Sequence, residues 1–224
     1  MNKTSKLRDI VYNEFVAGQG AGDFAMIGIG LLLQIAAFAI AKGDWLSLVT
    51  GLLGVFSVVL CSQKKISTFV FAVLQISCYM VLAARQHFYG ELIENVFYMA
   101  TTLYGAYVWF RHYNTGNEGN AVETQRLSAK GWILSATLIV AGSVVAYLIL
   151  KQTNDTQPLL DSISTVPAFA AQILMMLRYR EQWIFWIVVE VASIIMWMRA
   201  GDWCMAVLFA FWIATCLYGL KKWA

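Results

Sequence analysis

The chain has 224 residues, of which 60% are apolar and only 13% charged, with a mean hydropathy of +0.64. A soluble domain carries about 25% charged residues, so the composition excludes a soluble globular protein and defines an integral membrane one. The net charge of +3 gives no reason to invoke nucleic acid.

Residues 1–23 read as a cytoplasmic N-terminus. Within it 5–17 can form a short interfacial helix on Leu7, Ile10, Val11 and Phe15, although Glu14 falls inside that face. Small residues around Ala37, Ala39 and Ala41 resemble a cleavage site, but the apolar run is too long and begins too late for a signal peptide. Eight spans are predicted, at 24–41, 45–61, 66–84, 88–110, 132–150, 159–177, 183–199 and 203–220. Each is near the roughly 17–25 residues that cross a bilayer core. Residues 24–224 thus form a single transmembrane domain, its one long connection being the polar, Gly/Asn-rich 111–131. Counted on alternate sides, twelve Lys/Arg residues share the face of the termini and only Lys42, Arg85, Lys151 and Arg199 the other. By the positive-inside rule both termini are expected in the cytoplasm.

TTLYGAYVW at 101–109 returns 114 residues later as TCLYGLKKW at 215–223. Thr101, Leu103, Tyr104, Gly105 and Trp109 match Thr215, Leu217, Tyr218, Gly219 and Trp223, and Arg85 and Arg199 keep the same spacing. Thr50 with Thr165, Phe71 with Trp186, and Gln75 with Glu190 match at 115. The period is too long for a solenoid and fits a two-half transporter with its substrate between the repeats. The expected fold is all-α and integral to the membrane, with eight transmembrane helices. Repeat one (45–110) holds spans 2–4, repeat two (159–220) holds spans 6–8, and the linker helix 132–150 joins them. The offset is even, so the three-helix repeats run parallel, with span 1 an addition at the N-terminus. Pro158 suits a helix start, whereas Pro167 lies inside span 6 as a kink or a hinge.

A charge at mid-membrane costs roughly 2.5–3.5 kcal/mol on insertion scales, so it faces a cavity or a partner. Glu190 lies eight residues into its span and shares an arc of about 80° with Trp183, Trp186, Ser193 and Trp197. Thr68, Phe71, Gln75 and Tyr79 share the matching face of span 3, and Glu91, Glu94, Asn95, Tyr98, Thr101 and Thr102 one face of span 4. Span 6 adds Asp161, Ser162, Thr165 and Gln172. Aromatic plates beside amides and carboxylates suit a flat, polar ligand, and indole faces attract cations by roughly 2 kcal/mol or more when dry. The predicted substrate contacts are Trp183, Trp186, Glu190, Gln75, Asn95, Glu94, Tyr98, Thr101, Phe71 and Gln172. Trp45, Trp109, Trp132, Trp203 and Trp223 close the ends of spans and read as interface anchors. Four cysteines lie singly, and no metal, nucleophile or phosphate-loop motif is present, so neither a cofactor nor an enzyme activity is expected.

KKIS at 64–67, Tyr89-Gly90-Glu91, NVFY at 95–98, LYG at 103–105, Asp161-Ser162 and EQWIFWIVVEVAS at 181–193 together resemble the PnuC vitamin transporters. The resemblance runs from about residue 45 to the end of span 8. It implies a fold similar to the sugar-transporting SWEETs, a trimer in the bacterial inner membrane, and facilitated diffusion of nicotinamide riboside, with thiamine or riboflavin carried by relatives. The family's W-x-x-W followed by an amide maps onto Trp183, Trp186 and position 190, where this chain has Glu190 in place of Asn. An acid there suits a positively charged pyridinium or thiazolium. A sugar transporter and a small-ligand membrane receptor are the alternative readings.

Overall fold

The computed structural model describes residues 12, 14–17, 19–114 and 121–224. Leu7, Ile10 and Val11 of the expected interfacial helix lie outside the described residues. Among the described residues eight long helices follow one another: α1 (Ala21–Ala41), α2 (Trp45–Ser62), α3 (Thr68–Gln86), α4 (Tyr89–Arg111), α5 (Ala129–Leu150), α6 (Pro158–Met176), α7 (Gln182–Ala200) and α8 (Trp203–Lys222). Two short strands, β1 (Tyr113–Asn114) and β2 (Ala121–Val122), pair antiparallel between α4 and α5. Every predicted span has its helix. Seven are long and apolar enough to cross a membrane, and α4 is set apart by Glu91 and Glu94 in its first two turns.

Local chemistry sets the boundaries. Asp44, Ser128 and Asp202 each accept a hydrogen bond from a backbone N–H in the first turn of α2, α5 and α8, the usual role of an N-cap side chain. Pro158 opens α6, where its missing N–H costs nothing, and Pro167 is buried within that helix. The turns between helices repeat as well as the helices. Lys64 and Arg178, 114 residues apart, are both left-handed, and so are His87 and Gly201 at the same spacing. The backbone path is therefore duplicated even where the residue types have diverged.

Within each half the helices pack in chain order, α2 on α3 on α4 and α6 on α7 on α8. The halves meet along two seams, α2 against α8 and α4 against α6. Exchanging the halves turns one seam into the other, as a two-fold axis along the membrane normal requires. Outside this core α1 packs on α2 and α8, while α5 packs on α6 and, more narrowly, on α4. The N-terminal helix thus stands over one seam as the linker stands over the other. Asp23 anchors α1, accepting from the Tyr218 hydroxyl and the Lys222 ammonium of α8, each at 2.8 Å.

Two aromatic-rich layers close the core. At the far end from the termini Tyr79, Phe88 and Trp197 pack with Met196, Met205 and Leu208. At the terminal end Phe69, Trp109, Trp183 and Trp223 pack with Cys61 and Cys216. The terminal layer explains the repeated Leu-Tyr-Gly. Gly219 lies so close under the Trp183 ring that a Cβ would have no room, and Gly105 holds the same position under Phe69, where a Cβ would meet the ring at 3.1 Å. Trp109 stands edge-on to Phe69 at 5.1 Å and Trp223 edge-on to Trp183 at 5.7 Å. This corrects the expectation of interface anchors for Trp109 and Trp223, which are 0% and 1% exposed. Both end their spans, but those ends converge on the two-fold axis rather than on lipid. Trp45 and Trp203 are exposed, as anchors are. Trp132 is half-buried against Phe185, with ring centroids 5.4 Å apart.

Candidate substrate site between the repeats

A cavity of about 110 Å³ lies between the two layers and is lined from α2, α3, α4, α6, α7 and α8. Eight of the ten predicted contacts line it: Gln75, Glu94, Asn95, Tyr98, Gln172, Trp183, Trp186 and Glu190. The lining follows the repeat. Ala72 and Trp186, Gln75 and Val189, and Ile76 and Glu190 are partners at 114 on α3 and α7, as are Asn95 and Phe209, Tyr98 and Trp212, and Thr102 and Cys216 on α4 and α8. The match of Gln75 with Glu190 at 115 therefore lies one residue out of the structural register. In every pair from α4 and α8 the first half supplies the hydrogen-bonding group and the second the apolar or softer one. A symmetric scaffold therefore carries an asymmetric wall, with Gln75, Asn95 and the Tyr98 phenol from the first half and the indoles of Trp183, Trp186 and Trp212 from the second. Trp186 stands edge-on to Tyr98 at 5.7 Å where the two walls meet.

The two remaining predicted residues do not reach the cavity wall. Phe71 stacks on Phe56 at 5.0 Å and takes the edge of Phe15 at 6.3 Å, so its ring is used in packing. This corrects its assignment as a contact: α3 and α7 repeat at 114, which pairs Trp186 with Ala72 and leaves Phe71 one position off that face. Thr101 acts one step away: with Thr102 it accepts from the Gln172 amide, at 3.1 and 3.3 Å, and so orients that side chain.

The buried carboxylates divide into two kinds. Glu91 accepts from the Tyr79 hydroxyl at 2.5 Å and the Ser164 hydroxyl at 3.2 Å, and the Trp197 indole donates to the same Tyr79 oxygen at 3.0 Å. One carboxylate thereby joins α3, α4 and α6 and, through Tyr79, α7. Asp161 accepts from the backbone N–H groups of Gly90 and Glu91, at 2.7 and 3.0 Å, and from Thr165 at 3.1 Å. It caps α4 from a neighbouring helix, an acid at a helix N-terminus. Glu94 and Glu190 differ, since each keeps one buried oxygen without a hydrogen-bond partner, as do the Ser193 hydroxyl and the Trp183 indole N–H. Buried polar atoms are nearly always paired, so a cluster of exceptions around one cavity marks where a ligand or water belongs.

No Lys, Arg or His is among the residues that line the cavity, whereas Glu91, Glu94 and Glu190 all do. Indoles beside unopposed carboxylates attract a cation. Among the described residues no group of His, Cys and carboxylates is placed to hold a metal ion. Gln182, Trp212 and Ser57 also line the wall and escape the pattern of faces in the sequence. Trp212 carries one signal, its spacing of 114 from Tyr98.

Two parallel repeats enclosing a polar, aromatic cavity within the span region define a multi-pass membrane transporter. The chain belongs to the nicotinamide mononucleotide transporter family, whose model matches residues 44–224. It is 28% identical over 211 residues to the nicotinamide riboside transporter PnuC of Haemophilus influenzae, covering 94% of this chain and 92% of that one. It is 30% identical over 200 residues to the protein of the same name from Neisseria mucosa, covering 85% and 76%. A solved structure described as the crystal structure of the vitamin B3 transporter PnuC superposes with a TM-score of 0.85 at 27% identity, over 96% of this chain and 95% of that one.

Proposed function

We propose that this protein carries nicotinamide riboside across the bacterial inner membrane by facilitated diffusion, with both termini in the cytoplasm. The observation that supports this reading is the charge of the cavity: three carboxylates line it and no cation does. Nicotinamide riboside bears a positive pyridinium and no phosphate. The mononucleotide named by the family would bring a phosphate dianion beside Glu94 and Glu190, with no arginine or lysine to meet it. Like charges and an unpaired buried anion both oppose that arrangement. The charge of the cavity therefore favours the relatives' named substrate over the phosphorylated one.

The ring lies against Trp186, with Glu190 balancing its charge. The ribose hydroxyls pair with Gln75, Asn95 and Glu94 from the polar wall. Gln172, held by Thr101 and Thr102, supplies a further acceptor. Trp183 and Tyr98 bound the site at its edges. The tight layers on either side of the cavity are the parts that must open in turn.

The proposal is tested in proteoliposomes. Labelled nicotinamide riboside should enter until inside and outside concentrations are equal, without any imposed gradient. Uptake no faster than in protein-free vesicles would contradict transport. Accumulation that requires a sodium or proton gradient would contradict facilitated diffusion.

A further inference from the structure

Gln182 is fully buried and lines the cavity, yet neither end of its side-chain amide has a hydrogen-bond partner. The next residue repeats the anomaly. Trp183 is 1% exposed, lines the same wall and leaves its indole N–H unpaired. A buried polar atom without a partner costs about 1–3 kcal/mol, so three such atoms in adjacent residues are an arrangement that an occupant must complete. Packing offers no reason for an amide here, because an apolar side chain of the same shape would avoid the penalty.

The three atoms specify the complement. Two are donors, the Gln182 Nε2 and the Trp183 Nε1, and one is an acceptor, the Gln182 Oε1. A primary carboxamide answers all three. Its carbonyl oxygen has two lone pairs for the two donors, and its NH₂ donates to Gln182 Oε1. Their place along α7 suits the rest of the ligand. Gln182, Trp186 and Glu190 follow at intervals of four residues and all line the cavity. At 1.5 Å per residue they form a ladder of amide, indole and carboxylate spanning about 12 Å.

We infer that Gln182, with the Trp183 indole N–H, is the subsite that reads the carboxamide of the substrate and so sets specificity for the amide over the corresponding acid. This rests on the transport of nicotinamide riboside proposed above. The pyridinium then lies on Trp186 and the ribose toward Glu190 and Glu94, so the carboxamide leads toward the end of the molecule that carries the termini. A carboxylate in place of the carboxamide accepts from both donors but turns lone pairs toward Gln182 Oε1, which stays unpaired. It also adds a negative charge to a cavity that already holds three acids.

Isothermal titration of the purified full chain with nicotinamide riboside and with nicotinic acid riboside tests the assignment. The unaltered protein should bind the amide at least about tenfold tighter than the acid. Gln182→Met should weaken binding of the amide about tenfold, or about 1.4 kcal/mol, and change binding of the acid little. Its melting temperature without ligand should be no lower than that of the unaltered protein, since the substitution removes two unpaired polar groups. Equal losses for both ligands, or no loss for either, would overturn the assignment. If Gln182→Met does not fold, Trp183→Phe carries the test: a reduced preference for the amide supports the subsite and an unchanged preference overturns it. An unaltered protein that binds neither riboside would overturn the transport reading itself, a result separate from any effect of the variants.

Discussion

Trp109 and Trp223 stand 5.8 Å apart, ring centroid to ring centroid, and each ties its own half to the other. The Trp109 indole donates to the Met175 carbonyl at the end of α6, and the Trp223 indole donates to the Ser62 carbonyl at the end of α2, both at 3.2 Å. The two bonds are related contacts, one across each seam between the repeats, with acceptors one residue apart in the register of 114. The Trp223 bond satisfies a carbonyl in the last turn of α2, where no intrahelical donor remains, whereas the Met175 carbonyl also accepts from the Arg178 backbone N–H at 2.9 Å. Together they hold the terminal end of both seams, below the cavity.

Replacing Trp223 with Phe keeps a ring in the layer but orphans the Ser62 carbonyl. The expected cost is about 1–3 kcal/mol, the range for a buried acceptor left unpaired. Thermal unfolding in detergent should therefore show a lowered midpoint for Trp223→Phe and a smaller drop for Trp109→Phe, whose Met175 carbonyl keeps the Arg178 N–H. Trp45→Phe and Trp203→Phe, at exposed positions, should leave it nearly unchanged. Equal midpoints for all four variants would contradict the cross-seam role.

His87 and Gly201 occupy equivalent left-handed turns, at φ of 58° and 82°. Glycine meets no steric penalty there, whereas a side chain costs roughly 1–2 kcal/mol. His87→Gly should then raise the unfolding midpoint modestly, the loosened unfolded chain offsetting part of the gain. A lowered midpoint would show that the His87 side chain contributes more than its backbone strain costs.

The cavity residues separate by role. Trp186→Ala and Gln75→Ala should each weaken binding of nicotinamide riboside roughly tenfold or more, since about 1.4 kcal/mol is one decade. Glu190→Gln keeps the shape and removes the charge, so it should weaken this cationic ligand more than a neutral ribonucleoside. Phe71→Ala, whose ring packs on Phe56 and Phe15, should change affinity little. A titration in which Phe71→Ala costs as much as Trp186→Ala would put the ring of Phe71 in the site.

Orientation is open to a direct check. In a variant without native cysteines, single cysteines at 43 and 154 should react with an impermeant thiol reagent on intact cells. Cysteines at 126 and 221 should be shielded. The opposite pattern would reverse the assignment of both termini to the cytoplasm.

The helices were legible because lipid demands long apolar runs, and the repeat because Thr101 to Trp109 kept its residues when copied to Thr215 to Trp223. Periodicity gives the face of a helix but not what the face meets. Glu91 and Glu94 lie one turn apart on α4, yet one is fully engaged by Tyr79 and Ser164 and the other keeps an unpaired oxygen. Phe71 misled because its match to Trp186 at 115 is one residue out of the structural repeat of 114, which pairs Trp186 with the cavity residue Ala72 and Phe71 with Phe185. Gln182 was hidden at the first position of α7, where a polar residue is ordinary and gives no sign of pointing into a cavity. Trp109 and Trp223 had the position of interface anchors, and only the convergence of α4 and α8 on the axis buries them.

In the proposed function, the charge of the cavity selects a cationic nucleoside without its phosphate. Isothermal titration of the purified protein with nicotinamide riboside and with nicotinamide mononucleotide addresses it in one pair of measurements. The carboxylates of Glu91, Glu94 and Glu190, with no cation beside them on the wall, predict binding of the riboside and at least about a hundredfold weaker binding of the mononucleotide, or about 2.7 kcal/mol. Equal or tighter binding of the mononucleotide would contradict selection by the charge of the cavity.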